Sequence, residues 1–151
     1  MRHTESRLQQ QCVTWFRYQY PHLALLLFHP KNEGHGSRVA GAIAKAEGVV
    51  PGVPDLILAL PSWGHSILCL ELKSATGRQS PAQKTFQQTA ITASAQYEVI
   101  RTLEEFQVIV TDYLAAASKT MLQSLTGLHR ERERQEQEEA VRHIKAITRR
   151  E

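Results

Sequence analysis

Long apolar runs are missing from this sequence. No stretch of about 18–20 consecutive apolar residues occurs, which argues against a helical membrane span, and no N-terminal signal segment is read. Cysteine is scarce: Cys12 and Cys69 are the whole supply, too few for a disulfide framework. Both sit in apolar helix or strand contexts and are expected as buried free thiols in a reducing cytosol, not as a disulfide or a zinc site. Seven histidines are scattered without paired ligand spacing, which argues against structural zinc. Internal repeats and low-complexity linkers are absent too. A large charge of either sign is lacking: the net charge is +3 and the pI near 9.0, which permits nucleic-acid binding without demanding it. Residues 1–118 hold ten Lys/Arg against nine Asp/Glu, so any DNA footprint must come from local clustering. A soluble, cytoplasmic protein is the expectation.

What is present suits one domain. At 151 residues, 42% hydrophobic and 22% charged, the chain is long and apolar enough for a single sizeable core. Its organising stretch is Val50 to Gln83, VPGVPDLILALPSWGHSILCLELKSATGRQSPAQ. Two apolar runs, Val53–Leu60 and Ser66–Lys73, flank a turn-rich PSWGH and read as a hairpin. Period-two alternation puts Leu56, Leu58 and Leu60 on one face and Asp55, Ile57 and Ala59 on the other. On the second run Leu68, Leu70 and Leu72 oppose Ile67, Cys69, Glu71 and Lys73. Antiparallel pairing then clusters Asp55, Glu71 and Lys73 on otherwise apolar strands. Burying three such groups is costly without partners or a metal.

Divalent-metal chemistry on a phosphodiester would use that cluster. Two carboxylates, Asp55 and Glu71, with the Leu72 backbone carbonyl offer the hard oxygen ligands suited to Mg²⁺ or Mn²⁺. A metal there polarises the phosphoryl group and acidifies water. Lys73 faces the same site, where it can position that water or offset developing negative charge. By itself a carboxylate–lysine pair on a strand is often a surface ion pair.

Pro54-Asp55…Glu71-Leu72-Lys73 fits the P-D…E-x-K pattern of the restriction-endonuclease-like nucleases. The ordered set GVPDL, LELK and GRQSPAQ resembles the VRR-NUC family within that superfamily, over roughly Glu5 to Tyr113. The resemblance implies a homodimeric, metal-dependent, structure-specific DNA nuclease of the short phage or bacterial type, some members of which are similar to Holliday-junction resolvases in DNA repair and recombination. It assigns an N-terminal helical glutamate, matched by Glu5, and a glutamine, matched by Gln83, to the active site. Glu5 alone reads as a first-turn acid favoured by the helix dipole, and Gln83 alone as the partner in a capping box with Ser80. Gln9, one turn beyond Glu5, is a weaker supporting candidate.

The rest of the chain fills in an α/β order. Residues 4–20 read as an amphipathic helix carrying Leu8, Cys12, Trp15 and Phe16, with Thr4 as cap and Pro21 as stop. Leu23–His29 reads as a buried strand, followed by a turn-rich loop. There the resemblance places His29 and Asn32 near the site or the DNA backbone, an ordinary turn being the alternative. Lys31, Arg38 and Lys45 are candidate phosphate contacts or simply solvated. A helix runs from Ser37 to Ala46 or Glu47, with Val39, Ile43 and Ala46 on one side. Gly52 is expected to give the backbone room to turn into the first strand. Arg78 is the best single candidate for a phosphate contact. Ser80-Pro81 starts a helix to about Ala95 that packs Phe86, Ala90 and Ala93. Tyr97–Arg101 is a strand, and Thr102 caps a helix to about Ala117. From Ser118 the tail becomes mixed-charge, eight Lys/Arg and six Asp/Glu over 119–151, and suits a solvated ion-paired helix or partial disorder.

These readings predict a restriction-endonuclease-like mixed central β-sheet flanked by α-helices over 1–117, with a charged helical extension over 118–151. The expected function is a Mg²⁺- or Mn²⁺-dependent endonuclease acting on branched or structured DNA as a homodimer, in a bacterial or phage-infected cell. A flap or single-strand nuclease, and a non-catalytic DNA-binding module of the same fold, are the alternatives.

Overall fold

The computed structural model describes residues 2–30 and 38–148, leaving aside the side chains of Arg2, His3, Arg38 and Thr148. Lys31 and Asn32 lie outside the described residues, as does the Arg38 side chain.

The expected helix opens the chain as α1 (Arg2–Gln19), two residues ahead of Thr4, and ends before Pro21. Leu8, Cys12 and Phe16 are buried along one stripe, and Trp15 packs edge-on against Phe106 with centroids 5.9 Å apart. The strand expected over Leu23–His29 is corrected. Pro21 fixes a helical φ and starts a 3-10 turn, Pro21–Leu23. Successive turn bonds from Ala24 N–H to the Pro21 carbonyl (3.2 Å) and from Leu26 N–H to the Leu23 carbonyl (2.8 Å) then use the backbone groups a strand would need. Only Leu27–Phe28 remains extended, as β1, and Leu25 stands exposed. Next comes α2 (Arg38–Ala46), whose Val39 and Ile43 are also exposed.

The hairpin forms as read. β2 (Leu56–Leu58) pairs antiparallel with β3 (Leu68–Leu72), in the register Leu56↔Leu70, Ile57↔Cys69, Leu58↔Leu68. Its tip closes on Trp63 and Gly64, both with positive φ, between reciprocal Ser62–His65 backbone bonds. Two central residues of that conformation match the right-handed twist of the strands. After β3 come α3 (Pro81–Thr92) and β4 (Gln96–Ile100), which pairs parallel with β3. The α3 helix stops three residues short of Ala95, and Ala93 is exposed where packing was expected. With β1 antiparallel to β2, the sheet order is β1-β2-β3-β4, mixed as expected.

Both faces of the sheet are covered. The leucines at 56, 58, 60, 68, 70 and 72 meet α1 and α4 (Leu103–Ala115), which supplies Phe106, Val110, Tyr113 and Leu114. On the other face Cys69 and Tyr97 pack with Phe86 and Ala90 of α3. Burial pushes the Cys12 thiol up to about 12 and that of Cys69 to about 11, leaving both free and unreactive. The tail is one helix, α5 (Lys119–Thr148). Met121, Leu122 and Leu125 lie against the core, whereas the stretch beyond carries exposed pairs such as His129–Glu133 and Arg134–Glu138. Water screens such exposed pairs, so they add little to stability. Among the described residues no helix is long and apolar enough to cross a membrane.

The hairpin connector is pinned to α4 by two reciprocal bonds. Tyr113 Oη donates to the buried Leu60 carbonyl at 2.7 Å, and Ser62 Oγ donates to the Tyr113 carbonyl. Tyr113→Phe strands that carbonyl without a donor, so we expect a loss of about 1–3 kcal/mol in urea unfolding.

Candidate active site

The charged cluster assembles where β2 enters the sheet and β3 leaves it. Glu71 has no exposed surface at all and sits in a strand whose other residues are apolar. Three donors make that burial tolerable. Lys73 Nζ lies 2.6 Å from Glu71 Oε1, Gln83 Nε2 donates to the same oxygen, and Tyr97 Oη donates to Oε2 at 3.2 Å. The parallel register Cys69↔Tyr97 and Glu71↔Val99 puts Tyr97 on the same sheet face as Glu71, one pair away. Desolvation pushes the Glu71 carboxyl up to about 7; the Asp55 charge adds to the rise, and Lys73 and Tyr97 oppose it.

Asp55 is half-buried beside it. Its Oδ2 accepts from the Leu72 N–H at 2.7 Å, and its Oδ1 takes no hydrogen bond among the described residues. Carrying the β2–β3 register outward sets Leu72 opposite Pro54, which has no N–H to give the Leu72 carbonyl. The proline therefore gives that carbonyl no ladder donor, while the Leu72 N–H turns to the aspartate side chain. Burial raises the Asp55 pKa, the Leu72 N–H, Lys73 and His29 lower it, and Glu5 raises it again. His29 Nδ1 donates to the Asp55 backbone carbonyl at 2.6 Å, which fixes the proton on that nitrogen.

Glu5 reaches the same place from α1. Its Oε1 accepts from the Ser74 N–H at 2.9 Å, directly after Lys73. A cavity of about 840 Å³ opens here, with Glu5, Gln9, His29, Asp55 and Leu72 in its walls. Gln83 carries both of its readings at once: Oε1 accepts from Ser80 N–H, Gln83 N–H donates to Ser80 Oγ, and Nε2 reaches Glu71. The capping box thus aims the amide at the buried carboxylate. Gly52, at φ +83°, lies against the start of α3, where a Cβ would fall 2.4 Å from the Ala82 carbonyl group. The expected turn at Gly52 is there, and the missing Cβ also makes room for α3.

Two contributors escaped the sequence reading. Tyr97 was read only as a strand residue, and Arg101 only as the strand's end. Arg101 Nη1 donates to the carbonyls of Ser74 and Gly77, holding the 74–77 loop that carries the Glu5 contact. Period-two alternation put Tyr97, Val99 and Arg101 on one face; nothing in the sequence paired that face with Glu71. Arg78 is exposed and is not part of the cavity wall.

The donor set fits a small divalent cation. Asp55 and Glu5 face one cavity with like charges, each has one oxygen without a hydrogen bond among the described residues, and the buried Ser74 Oγ next to Glu5 has no protein partner. Among the described residues no three His, Cys, Asp or Glu side chains come together closely enough to hold a metal ion. The open donors here are two, the Asp55 and Glu5 carboxylates at one cavity, while Glu71 is fully buried against Lys73, Gln83 and Tyr97.

No family model matches the sequence, and no curated protein matches it. A solved structure described as a VRR_NUC domain protein is similar in shape, with a TM-score of 0.67 and 21% identity over 76% of this chain and 91% of its own. The chain has the VRR-NUC domain fold. Its four-stranded mixed sheet and flanking helices are those expected from the motifs.

The raised Glu71 pKa ties stability to pH. The folded state holds a proton that the unfolded state releases near 4.5, so this contribution is complete below that pH. It fades as pH rises through about 7. Urea unfolding in EDTA between these pH values should show the decline, and Glu71→Gln should flatten it.

Proposed function

We propose that this protein is a divalent-metal-dependent, structure-specific DNA endonuclease that hydrolyses phosphodiester bonds. The observation that carries the reading is the placement of Asp55 beside the buried Glu71–Lys73 pair, at the edge of a cavity that Glu5 also lines, on a VRR-NUC fold. Mg²⁺ or Mn²⁺ would be held by Asp55, Glu71 and the Leu72 carbonyl, with Glu5 and Gln83 completing the site. Bound there, such an ion would supply Lewis acidity toward the phosphoryl oxygen and the attacking water.

The chain's own groups do the rest. Gln83 and Tyr97 fix the orientation of the Glu71 carboxylate, so its geometry is set before substrate arrives. Lys73, held at Glu71 Oε1, carries positive charge to where a transferring phosphoryl group gains negative charge, or holds the attacking water. The Asp55 carboxylate is kept in place by the Leu72 N–H. Hydrolysis forms a bond from the water oxygen to phosphorus and breaks one P–O ester bond, the proton passing to the leaving oxygen or solvent.

Branched DNA, in particular a four-way junction, is the proposed substrate class, and a homodimer would provide paired sites for symmetric incision. A cytoplasmic role in DNA repair or recombination follows from that substrate. Arg78 and, outside the described residues, Lys31, Asn32 and the Arg38 side chain are proposed backbone contacts.

Cleavage of a labelled four-way junction, flap, nick and linear duplex in Mg²⁺ or Mn²⁺ tests the reading. Asp55→Asn keeps an acceptor for the Leu72 N–H and should abolish cutting with the fold intact. Lys73→Met should slow it by about 10²–10³-fold. Paired nicks confined to the junction support a resolvase; cutting of flaps alone keeps the site and discards the resolvase. Binding without cutting in either metal would leave a DNA-binding module.

A further inference from the structure

The cavity beside Asp55 extends well past the charged cluster. Its long wall is one face of α1, from Glu5 through Ser6, Gln9, Gln10 and Thr14 to Arg17. Those positions recur at helical spacing over three turns, a span of about 18 Å. Val13 puts an apolar patch in this wall, and the amide and hydroxyl groups around it can hydrogen-bond sugars and phosphates without reading sequence. Arg17 closes the far end; it is exposed and makes no ion pair among the described residues. The opposite wall is β1, where Leu27 is buried and Phe28 is 45% exposed.

From this arrangement we infer that the α1–β1 cavity is a groove for a short run of single-stranded DNA leading to the scissile phosphate, with Phe28 stacking a base and Arg17 taking a backbone phosphate. The inference rests on the nuclease reading and deepens it by naming what lies next to the cut. At about 840 Å³ the cavity has room for a few unpaired nucleotides. An exposed aromatic ring and a cation without an ion pair among the described residues are the two elements of sequence-tolerant single-strand binding. The charge is also polarised. Glu5 and Asp55 make one end acidic, so a phosphate there needs a cation beside it, while Arg17 attracts a phosphate unaided. A strand is thereby given one preferred placement, with its reacting phosphate at the acidic end.

Fluorescence anisotropy with a labelled oligothymidylate and a hairpin duplex in Mg²⁺ tests this, using Asp55→Asn protein so that nothing is cut. Adding Arg17→Ala or Phe28→Leu should weaken oligothymidylate binding by about tenfold each and leave duplex binding unchanged. Arg17→Ala should also reduce the salt slope by about 0.7, one single-strand phosphate contact. Both side chains are exposed, so thermal melting should not move. With otherwise native protein cutting a substrate that carries a single-stranded arm, the loss should fall on KM. Equal oligothymidylate affinity in all three proteins, or equal losses on single strand and duplex, overturns the groove. If native protein cuts DNA while the Arg17 and Phe28 variants match it, the groove is wrong and the nuclease reading stands. If native protein neither binds nor cuts, both fall together.

Discussion

Glu71 is a carboxylate with no surface in contact with solvent, placed in the middle strand of the longest ladder in the fold. An isolated charge in that position would cost several kcal/mol or more. Its tolerance depends on donors from three separate elements: Lys73 two residues on in chain, Gln83 from the first turn of α3, and Tyr97 from β4. Each donor in turn needs its element in place. Gln83 is aimed by the capping box and by a helix start that reaches the sheet only because Gly52 has no Cβ. Tyr97 is delivered by the parallel pairing of β4. One buried acid thus fixes the relative placement of β3, α3 and β4, and the partial neutralisation left over appears as its pKa near 7.

Asp55 is governed by a different constraint, the end of a strand ladder. Pro54 cannot donate, so the antiparallel pairing stops there, and the aspartate side chain takes over the Leu72 N–H. The same local fact leaves a carbonyl oxygen and a carboxylate oxygen without backbone duties, side by side, at the mouth of a cavity. The proline and aspartate of the motif are therefore two halves of one device, and the glutamate on the neighbouring strand has its own three donors.

Much of this was legible in the sequence because it is local. Period-two alternation placed Asp55, Glu71 and Lys73 on one face, and the capping signature at Ser80–Gln83 described both bonds of the box. What was not legible depends on register between distant segments. Tyr97 meets Glu71 only through the β3–β4 pairing, and Arg101 finds the carbonyls of residues 74 and 77 only after β4 has docked. Leu23–His29 misled for the opposite reason. Its apolar run satisfied the strand pattern, but Pro21 started a turn whose backbone bonds excluded the first half from the sheet. The α2 helix formed as read, and its Val39 and Ile43 are exposed, since an amphipathic period identifies a helix without saying that its apolar face is covered.

The division of labour on α1 joins core to site. Leu8, Cys12 and Phe16 hold the helix on the leucine face of the sheet, while positions 6, 9, 10, 14 and 17 line the cavity on the adjoining face. Glu5 is where the two roles meet, because its bond to the Ser74 N–H ties the helix start to the end of β3. Arg101 braces the same loop from the other side. The distance between α1 and Asp55 is thus set by apolar packing along the helix and by two polar ties at its start, so positions 6, 9, 10, 14 and 17 can change without loosening what positions the carboxylates.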